Sequence, residues 1–407
     1  MKILHTADWH IGKVLHKHPL REELTLFFDW LFEIIQKEKI DVLLVSGDIF
    51  DLANPAVLDR ELYYQFLSRL ISLKIQIIIT GGNHDAVGLL NAPKEILKSL
   101  NISVVGGAKD NIEEEIITIS NSKGETQLII AAVPFLRDKD LRNRDTDSQF
   151  ENRTEAIRAG IKKHYQDLGE ICAKKYAGIP AIAMGHLYAK GALTSESERD
   201  IHVGNAAAVE SNIFPENYNY VALGHIHRPQ VIGKNEFIRY SGSPIALSFS
   251  EKKDIKSIIV IELKNGKIQS PIVIEVPKFR TLKKISGDIG KVKMELNDFK
   301  SESPLCSFIE LEIQEEQYSP LILAAVDSLV NAYQDNPSLQ ILKNKTVFKE
   351  GAKDTADLFN AGENIEDLKP KEVFAKMLEV SSANQDKHKI LMEAFMELVE
   401  ASQTDAL

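Results

Sequence analysis

The sequence predicts an α/β protein with a mixed sheet, followed by a small α+β region and a helical segment. Three observations support this prediction. Short apolar runs alternate with helix-spaced apolar residues over the first two-thirds of the chain. A strand–helix–strand–helix–strand pattern follows residue 278, and two amphipathic stretches follow a polar segment that begins near Gly351.

Length and composition limit the class of protein. At 407 residues the chain is long enough for two or three domains. Its content of 44% hydrophobic and 27% charged residues is ordinary for a globular protein and excludes a disordered or wholly coiled-coil chain. Two cysteines, Cys172 and Cys306, are too few for a disulfide framework or a thiolate zinc site.

Location and charge restrict the partners. No uncharged apolar run is long enough to span a membrane, and the N-terminus lacks the apolar core of a secretion signal, so we expect a cytoplasmic protein without a membrane partner. The net charge of −10 argues against nucleic acid as a partner by bulk field alone. Bound divalent cations would supply local positive charge that this count omits.

The strands of the N-terminal region are predicted from continuous apolar runs, which are typical of strands buried on both faces. Helix-spaced apolar residues over 24–35 and 58–73 indicate two helices between them. Runs at 237–238 and 258–261 are more typical of antiparallel strands. The other predicted strands are residues 3–4, 42–45, 75–79, 128–133, 181–184 and 220–223.

The C-terminal third divides into a linker, a small domain and an arm. The character of the sequence changes around 266–280, where Pro271 and Pro277 bracket a predicted linker. Strands at 279–285, 307–313 and 339–342 alternate with helices at 288–299 and 319–333, the second of which begins at Ser319-Pro320. The predicted domains are therefore 1–268, 278–348 and 364–402.

Polar side chains follow five of the predicted strands where each strand ends. In α/β sheets, ligands bind at the carboxyl ends of strands, so we expect these side chains to meet there. Each motif alone is weak evidence, since Asp-x-His and Gly-His pairs are common and Gly-Asn-His-Asp also suits a turn. Their joint order after successive strands is specific. The motifs are Asp8-x-His10, Gly47-Asp48-x-x-Asp51, Gly82-Asn83-His84-Asp85, Gly185-His186 and Gly224-His225-x-His227.

These residue types predict a site for two divalent metals. Imidazole and carboxylate ligands without cysteine favour Mn or Fe over structural zinc. Seven ligands are too many for one catalytic metal with an open position, but they suit two metals that hold a phosphoryl group. His84 remains, and could donate a proton or stabilise transition-state charge. The seven candidate ligands are Asp8, His10, Asp48, Asn83, His186, His225 and His227.

The motif set resembles the calcineurin-like metallophosphoesterases over residues 1–265. Within them, the opening segment 2–12, the Gly47–Asp51 motif and the Tyr240-Ser241-Gly242-Ser243-Pro244 segment resemble the bacterial SbcD family of nuclease subunits. The small domain and the helical tail match that family in layout. The resemblance implies a four-layer sandwich with a small α+β capping domain and a C-terminal helical arm.

The resemblance also implies roles for the site residues. One of two Mn²⁺ ions, or of two other divalent ions such as Mg²⁺, would be held by Asp8, His10 and His227. The other would be held by Asn83, His186 and His225, with Asp48 bridging the two. His84 would contact the scissile phosphate and assist the leaving group, while the role of Asp51, which orients His84 or only caps a turn, stays open.

The implied activity is cleavage of DNA. The SbcD family acts as a double-strand exonuclease and a single-strand endonuclease that opens hairpins, in DNA end processing, repair and recombination. It works with SbcC, a coiled-coil ATPase, in a complex with two nuclease subunits. The small domain is expected to help recognise DNA, and the arm to bind the ATPase.

Two other functions fit the same motifs. A phosphoesterase for a smaller phosphodiester or phosphomonoester would use the same metals, although Asp51-Leu52-Ala53 replaces the Asp-Arg-Gly usual in the family's protein phosphatases. A scaffold with an inactive site is disfavoured, because a scaffold needs no converging metal ligands. Five basic residues are candidate phosphate contacts: Lys13, Arg137, Lys139, Arg142 and Arg144. The segment 137–144 also contains aspartates, so it could equally be a solvated loop.

Overall fold

A computed structural model describes residues 1–141, 153–198, 208–301, 303–334 and 336–350, and six positions in the predicted arm: 374, 378, 391, 392, 394 and 395. The chain divides into two compact units. The first comprises Met1–Lys284, Lys300–Glu310 and Asp335–Lys343. The second comprises Ile285–Phe299, Leu311–Gln334 and Asn344–Leu407.

Strands and helices are numbered along the chain. The strands are β1 (Lys2–Thr6), β2 (Val14–Leu15), β3 (His18–Pro19), β4 (Val42–Ser46), β5 (Gln76–Thr80), β6 (Ile102–Val105), β7 (Ile116–Ser120), β8 (Thr126–Ala132), β9 (Ala181–His186), β10 (Tyr218–Gly224), β11 (Gln230–Ile232), β12 (Asn235–Tyr240), β13 (Ser257–Lys264), β14 (Lys267–Ile268), β15 (Ile272–Glu275), β16 (Leu282–Gly287), β17 (Ser307–Gln317) and β18 (Leu339–Glu350). The helices are α1 (Arg21–Glu38), α2 (Val57–Ile71), α3 (Val87–Asn91), α4 (Lys94–Ser99), α5 (Asp138–Leu141), α6 (Arg153–Lys175), α7 (Ile289–Asn297) and α8 (Pro320–Ala332).

Two mixed sheets form the centre of the first unit. The first has the order β14-β13-β1-β4-β5-β6, with β15 also paired to β13. In it β1, β4, β5 and β6 run parallel, while β13 is antiparallel to β1. The second has the order β11-β12-β10-β9-β8-β7, in which β8, β9, β10 and β12 run parallel. Parallel strands therefore lie at the centre of both sheets, and their carboxyl ends carry the motifs.

The apolar runs are continuous because each central strand is buried on both faces. Leu44 of β4 packs with Met184 of β9 in a cluster shared by the two sheets. Its neighbour Leu43 points the other way, into a cluster with Phe27 of α1 and Phe66 of α2. A third cluster joins α6 to the second sheet. The layers run helix, sheet, sheet, helix, which confirms the predicted four-layer sandwich.

One local prediction is confirmed only in part, and another was wrong. The run at 237–238 lies in β12, which pairs parallel to β10 and antiparallel to β11 rather than being antiparallel throughout. The linker predicted between Pro271 and Pro277 contains β15. The β-branched residues Ile272, Val273 and Ile274 of β15 pair with β13, so strand propensity and an available partner outweigh the two flanking prolines.

The small α+β region has the predicted order of elements. Its three strands form a sheet in the order β16-β17-β18, with α7 and α8 between them in sequence. The carboxylate of Asp288 accepts a hydrogen bond from the Lys291 amide at 2.9 Å and caps α7. Most of the predicted arm lies outside the described residues. The six positions described there are helical, and the rings of Phe374 and Phe395 stack with their centroids 4.0 Å apart.

A buried ionic cluster joins α1 to the segment that follows β15. The guanidinium of Arg280 pairs with the carboxylates of Glu22 and Glu23 and donates to the Cys306 carbonyl. The same group lies 4.0 Å from the centroid of the Phe308 ring. Arg280 is 8% exposed and Glu23 is 4% exposed, so each charge is stabilised mainly by the other and little by water.

We expect Arg280→Met to lower the free energy of unfolding by about 3 kcal/mol, because the Glu23 carboxylate is left buried without its partner. Urea unfolding of the parent and the variant measures this loss. The double variant Arg280→Met/Glu23→Gln should regain part of it. Equal stability of the parent and Arg280→Met would contradict the assignment of a buried, mutually dependent pair.

Candidate metal centre

The five motifs meet at one edge of the two central sheets. Asp8 and His10 follow β1, Asp48 follows β4, and Asn83 follows β5. From the second sheet, His186 is the last residue of β9, and His225 and His227 follow β10. The structure brings all seven predicted ligands and His84 together at this edge.

Asp8, His10, Asp48 and His227 form one side of the cluster. The Nε2 atoms of His10 and His227 are 3.0 Å apart, and Asp48 Oδ2 lies 3.5 Å from His10 Nε2. Ligand-type atoms of Asp8, His10 and His227 all lie within 4.8 Å of one another. One carboxylate and two imidazoles with their ligand atoms this close together could hold a metal ion, so this side is a candidate cation site.

Asn83, His186 and His225 form the other side, and Asp48 contacts it as well. Asn83 Oδ1 lies 2.9 Å from His186 Nε2 and 3.2 Å from His225 Nδ1. Asp48 Oδ2 lies 3.3 Å from His186 Nε2. The Asp48 carboxylate therefore stands between the two sides, within 3.5 Å of an imidazole nitrogen on each.

Burial and mutual charge shift the pKa values strongly. Burial, reinforced by the charge of Asp48, raises the pKa of Asp8 to about 7. Although burial disfavours the charged form of His186, the Asp48 and Asp8 carboxylates outweigh it and raise its pKa to about 9. Burial and then the neighbouring His186 charge hold the pKa of His225 well below its usual range.

The donor set fits divalent cations. Among the described residues, the buried Oδ2 atom of Asp8 has no hydrogen-bond partner, and neither does Nε2 of His225. The ligand side chains apart from Asn83 are at most 2% exposed. Divalent cations would supply the positive charge that this buried set of carboxylate, amide and imidazole donors lacks.

An ion-pair contact to His10 and hydrogen bonds to His186 and His84 position these imidazoles from the outer side of the cluster. Nδ1 of His10 lies 3.2 Å from the Asp51 carboxylate, and Nδ1 of His186 lies 3.1 Å from the Ser46 carbonyl. His84 Nδ1 lies 2.7 Å from the Asp51 backbone carbonyl, whereas the Asp51 carboxylate is 3.9 Å away from it. Asp51 therefore holds His84 through its backbone and His10 through its side chain.

His84 lies beside the cluster. Its backbone N–H donates to Asp48 Oδ1 at 2.9 Å, and its Nε2 lies 4.0 Å from Asp48 Oδ2. Its ring meets the His10 ring edge-on, with 4.7 Å between centroids. A carbonyl oxygen can only accept, so Nδ1 carries a proton, and Nε2 is the nitrogen nearer the Asp48 carboxylate.

The backbone at the strand ends is strained. Asp8, His10, Asp48 and His225 all have positive φ, at 52°, 45°, 49° and 97°. Each such residue costs on the order of 1–3 kcal/mol, a strain that clusters at functional sites. Gly82 permits the close approach, since a Cβ there would lie 2.1 Å from Asp48 Oδ1. The sequence motifs give no sign of this backbone strain.

Asp85 is a residue whose role the sequence did not reveal. Its carboxylate accepts hydrogen bonds from the backbone amides of Ile49, Phe50 and Gly82 at 3.1, 3.0 and 2.8 Å. It thus ties the loop after β4 to the loop after β5. The only signal in the sequence was its position at the end of the Gly-Asn-His-Asp motif.

The predicted phosphate contacts differ in their surroundings. Lys13 Nζ pairs with the Asp51 carboxylate at 3.2 Å, close to the cluster. The Arg137 guanidinium donates to the Asp85 carbonyl at 3.0 Å. Lys139 lies in α5, and Arg142 and Arg144 lie outside the described residues.

Comparison with known proteins identifies the class. The family model described as calcineurin-like phosphoesterase matches residues 1–229, more than half of the chain. The chain belongs to this family and has its fold. It is accordingly a metal-dependent hydrolase of phosphodiester type, and the Asp/His cluster is its candidate site for divalent metals.

Curated relatives narrow this class to the SbcD family, to which the chain also belongs. It is 30% identical over 402 residues to the SbcD subunit of the SbcCD nuclease of Escherichia coli K12, covering 97% of each chain. The same subunit from Rhodobacter capsulatus is 32% identical, with 82% of this chain and 85% of the relative covered. The Bacillus subtilis subunit is 34% identical, with 65% of this chain and 67% of the relative covered. No helix in the described residues is long and apolar enough to cross a membrane.

We expect the affinity of the metal-free chain for Mn²⁺ to rise with pH between about pH 6.5 and about pH 8.5, by up to about tenfold per unit for each proton displaced. His186, with a pKa of about 9, carries a proton in this range that a metal must displace, and Asp8, with a pKa of about 7, carries a second one in the lower part of the range. Calorimetry in oxygen-free buffers of different ionisation enthalpy measures affinity and proton release together. An affinity independent of pH, with no released proton, would contradict this prediction.

Proposed function

We propose that the protein is the Mn²⁺-dependent nuclease subunit of an SbcCD-type complex, acting in the cytoplasm on DNA ends and hairpins in repair and recombination. The observation that carries the proposal is the convergence of all seven ligand-type side chains with His84 beside them. Membership of the SbcD family supports DNA as the substrate. Exonuclease action on duplexes and endonuclease action on single strands are part of the proposal.

The proposed ligands divide into two sets. Asp8, His10 and His227 would hold one Mn²⁺, and Asn83, His186 and His225 would hold the other. Asp48 would bridge them, supported by its distances of 3.5 and 3.3 Å to an imidazole of each set. When bound, the two cations would polarise the phosphate and activate water for in-line attack.

His84 is the proposed catalytic residue. Its Nδ1–H donates to the Asp51 carbonyl, which orients the ring and leaves Nε2 to carry the exchangeable proton. From there the imidazolium can stabilise the charge on the phosphate and protonate the leaving oxygen. His84 is 4% exposed, so water screens the charge of this proton little.

The remaining segments suit a large substrate and a partner. We propose that residues 278–348 recognise DNA and that residues 364–402 bind a coiled-coil ATPase of the SbcC type. Two nuclease subunits would join the ATPase in a heterotetramer. With a net charge of −10, the chain alone should bind DNA weakly, and the partner would supply much of the affinity.

We expect His84→Ala to lower the rate of linear duplex degradation in Mn²⁺ by about a hundredfold or more while metal binding persists, because the leaving oxygen loses its proton donor. Gel assays and calorimetry give the two quantities. His164→Gln, which changes an imidazole on α6, is the control and should keep full activity. DNA cleavage by His84→Ala at the parental rate would refute the role of His84, whereas hydrolysis of only small phosphodiesters by the parent would favour the smaller-substrate phosphoesterase.

Deletion of residues 364–407 should abolish co-purification of the ATPase subunit while leaving hydrolysis of a small phosphodiester unchanged, because the arm carries no candidate site residue. Co-expression of a tagged chain with its ATPase measures the first effect. A double variant, Phe374→Ser/Phe395→Ser, changes only the stacked aromatic pair and should weaken binding in the same direction. Undiminished capture of the ATPase by the deletion variant would refute the assignment.

A further inference from the structure

The Nδ1 atom of His227 contacts a side chain that belongs to none of the sequence motifs. Its Nε2 faces His10 Nε2 at 3.0 Å, while its Nδ1 lies 2.6 Å from the hydroxyl of Ser197. That hydroxyl also contacts Oε1 of Glu251. Ser197 therefore stands between a proposed metal ligand and a buried carboxylate.

Glu251 has the environment of a permanently ionised group. Its side chain is fully buried, and the ammonium of Lys256 lies 2.5 Å from Oε2. Lys256 is 7% exposed and also donates to the His227 carbonyl and the Ser243 hydroxyl, each at 2.9 Å. A carboxylate paired in this way can only accept hydrogen bonds.

The hydrogen-bond directions then assign the tautomer of His227. The Ser197 hydroxyl has one hydrogen, and its closest partner is Oε1 of Glu251, which lies nearer than the Ser195 hydroxyl at 2.8 Å and has no proton to give, so we assign the hydrogen to that carboxylate. The Ser197 oxygen then accepts from His227, which places a proton on Nδ1. In the neutral imidazole Nε2 is then unprotonated, and its lone pair is directed at His10 Nε2 and the cluster.

We propose that Ser197, Glu251 and Lys256 form a positioning relay that presents His227 to the metal site with the Nε2 lone pair free. The inference rests on the proposed function of His227 as a metal ligand. The hydrogen-bond partner on the outer nitrogen of a ligating histidine fixes its tautomer and orientation, and losing that partner typically costs 10- to 100-fold in metal affinity. None of these three residues touches the reacting atoms; they act through His227.

Glu251 has hydrogen-bond donors other than Ser197, so its burial alone does not depend on Ser197. Glu251 also accepts hydrogen bonds from the Leu247 amide and the Ser248 hydroxyl, both at 3.2 Å. Within the described part of the chain, neither of those groups is hydrogen-bonded to His227, whereas Ser197 contacts both His227 and Glu251. Ser248 thus offers a matched control, because it loses the same kind of hydrogen bond to the same carboxylate oxygen.

The experiment measures the tautomer and the metal affinity separately in the full chain. In the metal-free protein, two-bond ¹H–¹⁵N spectra of labelled histidines should show His227 protonated on Nδ1, with its signals assigned from their loss in His227→Ala. Ser197→Ala should convert this signal to a mixture of tautomers and weaken Mn²⁺ binding by about tenfold or more in calorimetry. Ser197→Thr, which keeps the hydroxyl, and Ser248→Ala should both retain parental affinity.

The outcomes separate this inference from the proposed function. A metal-free His227 protonated on Nε2 would overturn the relay, even if Mn²⁺ binds as proposed. Equal losses of affinity in Ser197→Ala and Ser248→Ala would overturn it too. That result would mean that any hydrogen bond to Glu251 matters, and not specifically the one that connects it to His227. If His227→Ala binds Mn²⁺ like the parent, the ligand assignment fails, and the role of the relay toward the metal fails with it. Melting temperatures of all variants show that each remains folded.

Discussion

Uncompensated burial of charge is the constraint on which the rest of the structure depends. Asp8 and Asp48 lie beside His10, His186, His225 and His227 in a cluster almost closed to water. Isolated charges in such a place are very costly, so the groups must either pair, change protonation or bind cations. Burial raises the pKa of Asp8 to about 7, and the neighbouring carboxylates raise the pKa of His186 to about 9, so within this cluster protonation compensates part of the buried negative charge.

The fold accommodates this cost by packing apolar layers on both faces of each sheet. Central strands buried on both faces bring five strand ends to one edge, and the apolar clusters on either side of each sheet hold them there. Local strain at Asp8, His10, Asp48 and His225 is tolerated because the strands before them are fully determined by packing. Asp85 then links two of the loops through three amide hydrogen bonds.

Much of the site could be predicted from the sequence, because metal ligands belong to a few residue types and follow recognisable strands. The motifs from Asp8 to His227 are local patterns, and their order places them at one sheet edge. The supporting groups could not be predicted. Ser197 and Glu251 lie outside any motif, and they reach His227 only because loops distant in sequence fold over the same edge. The pairing of Ile272–Glu275 with β13 was missed for a similar reason, since it depends on a free strand edge elsewhere in the chain.

The sequence by itself determined the class of chemistry, the α/β pattern and the candidate ligands, because hydrophobic periodicity and ligand chemistry are properties of short segments. The four-layer sandwich was implied by the resemblance of the motifs to a known family. Only the tertiary structure decided which nitrogen of each imidazole faces the cluster. It also decided that Asp51 holds His84 through its backbone carbonyl and His10 through its carboxylate. These features depend on distances between residues far apart in the chain, and packing rather than local pattern sets those distances.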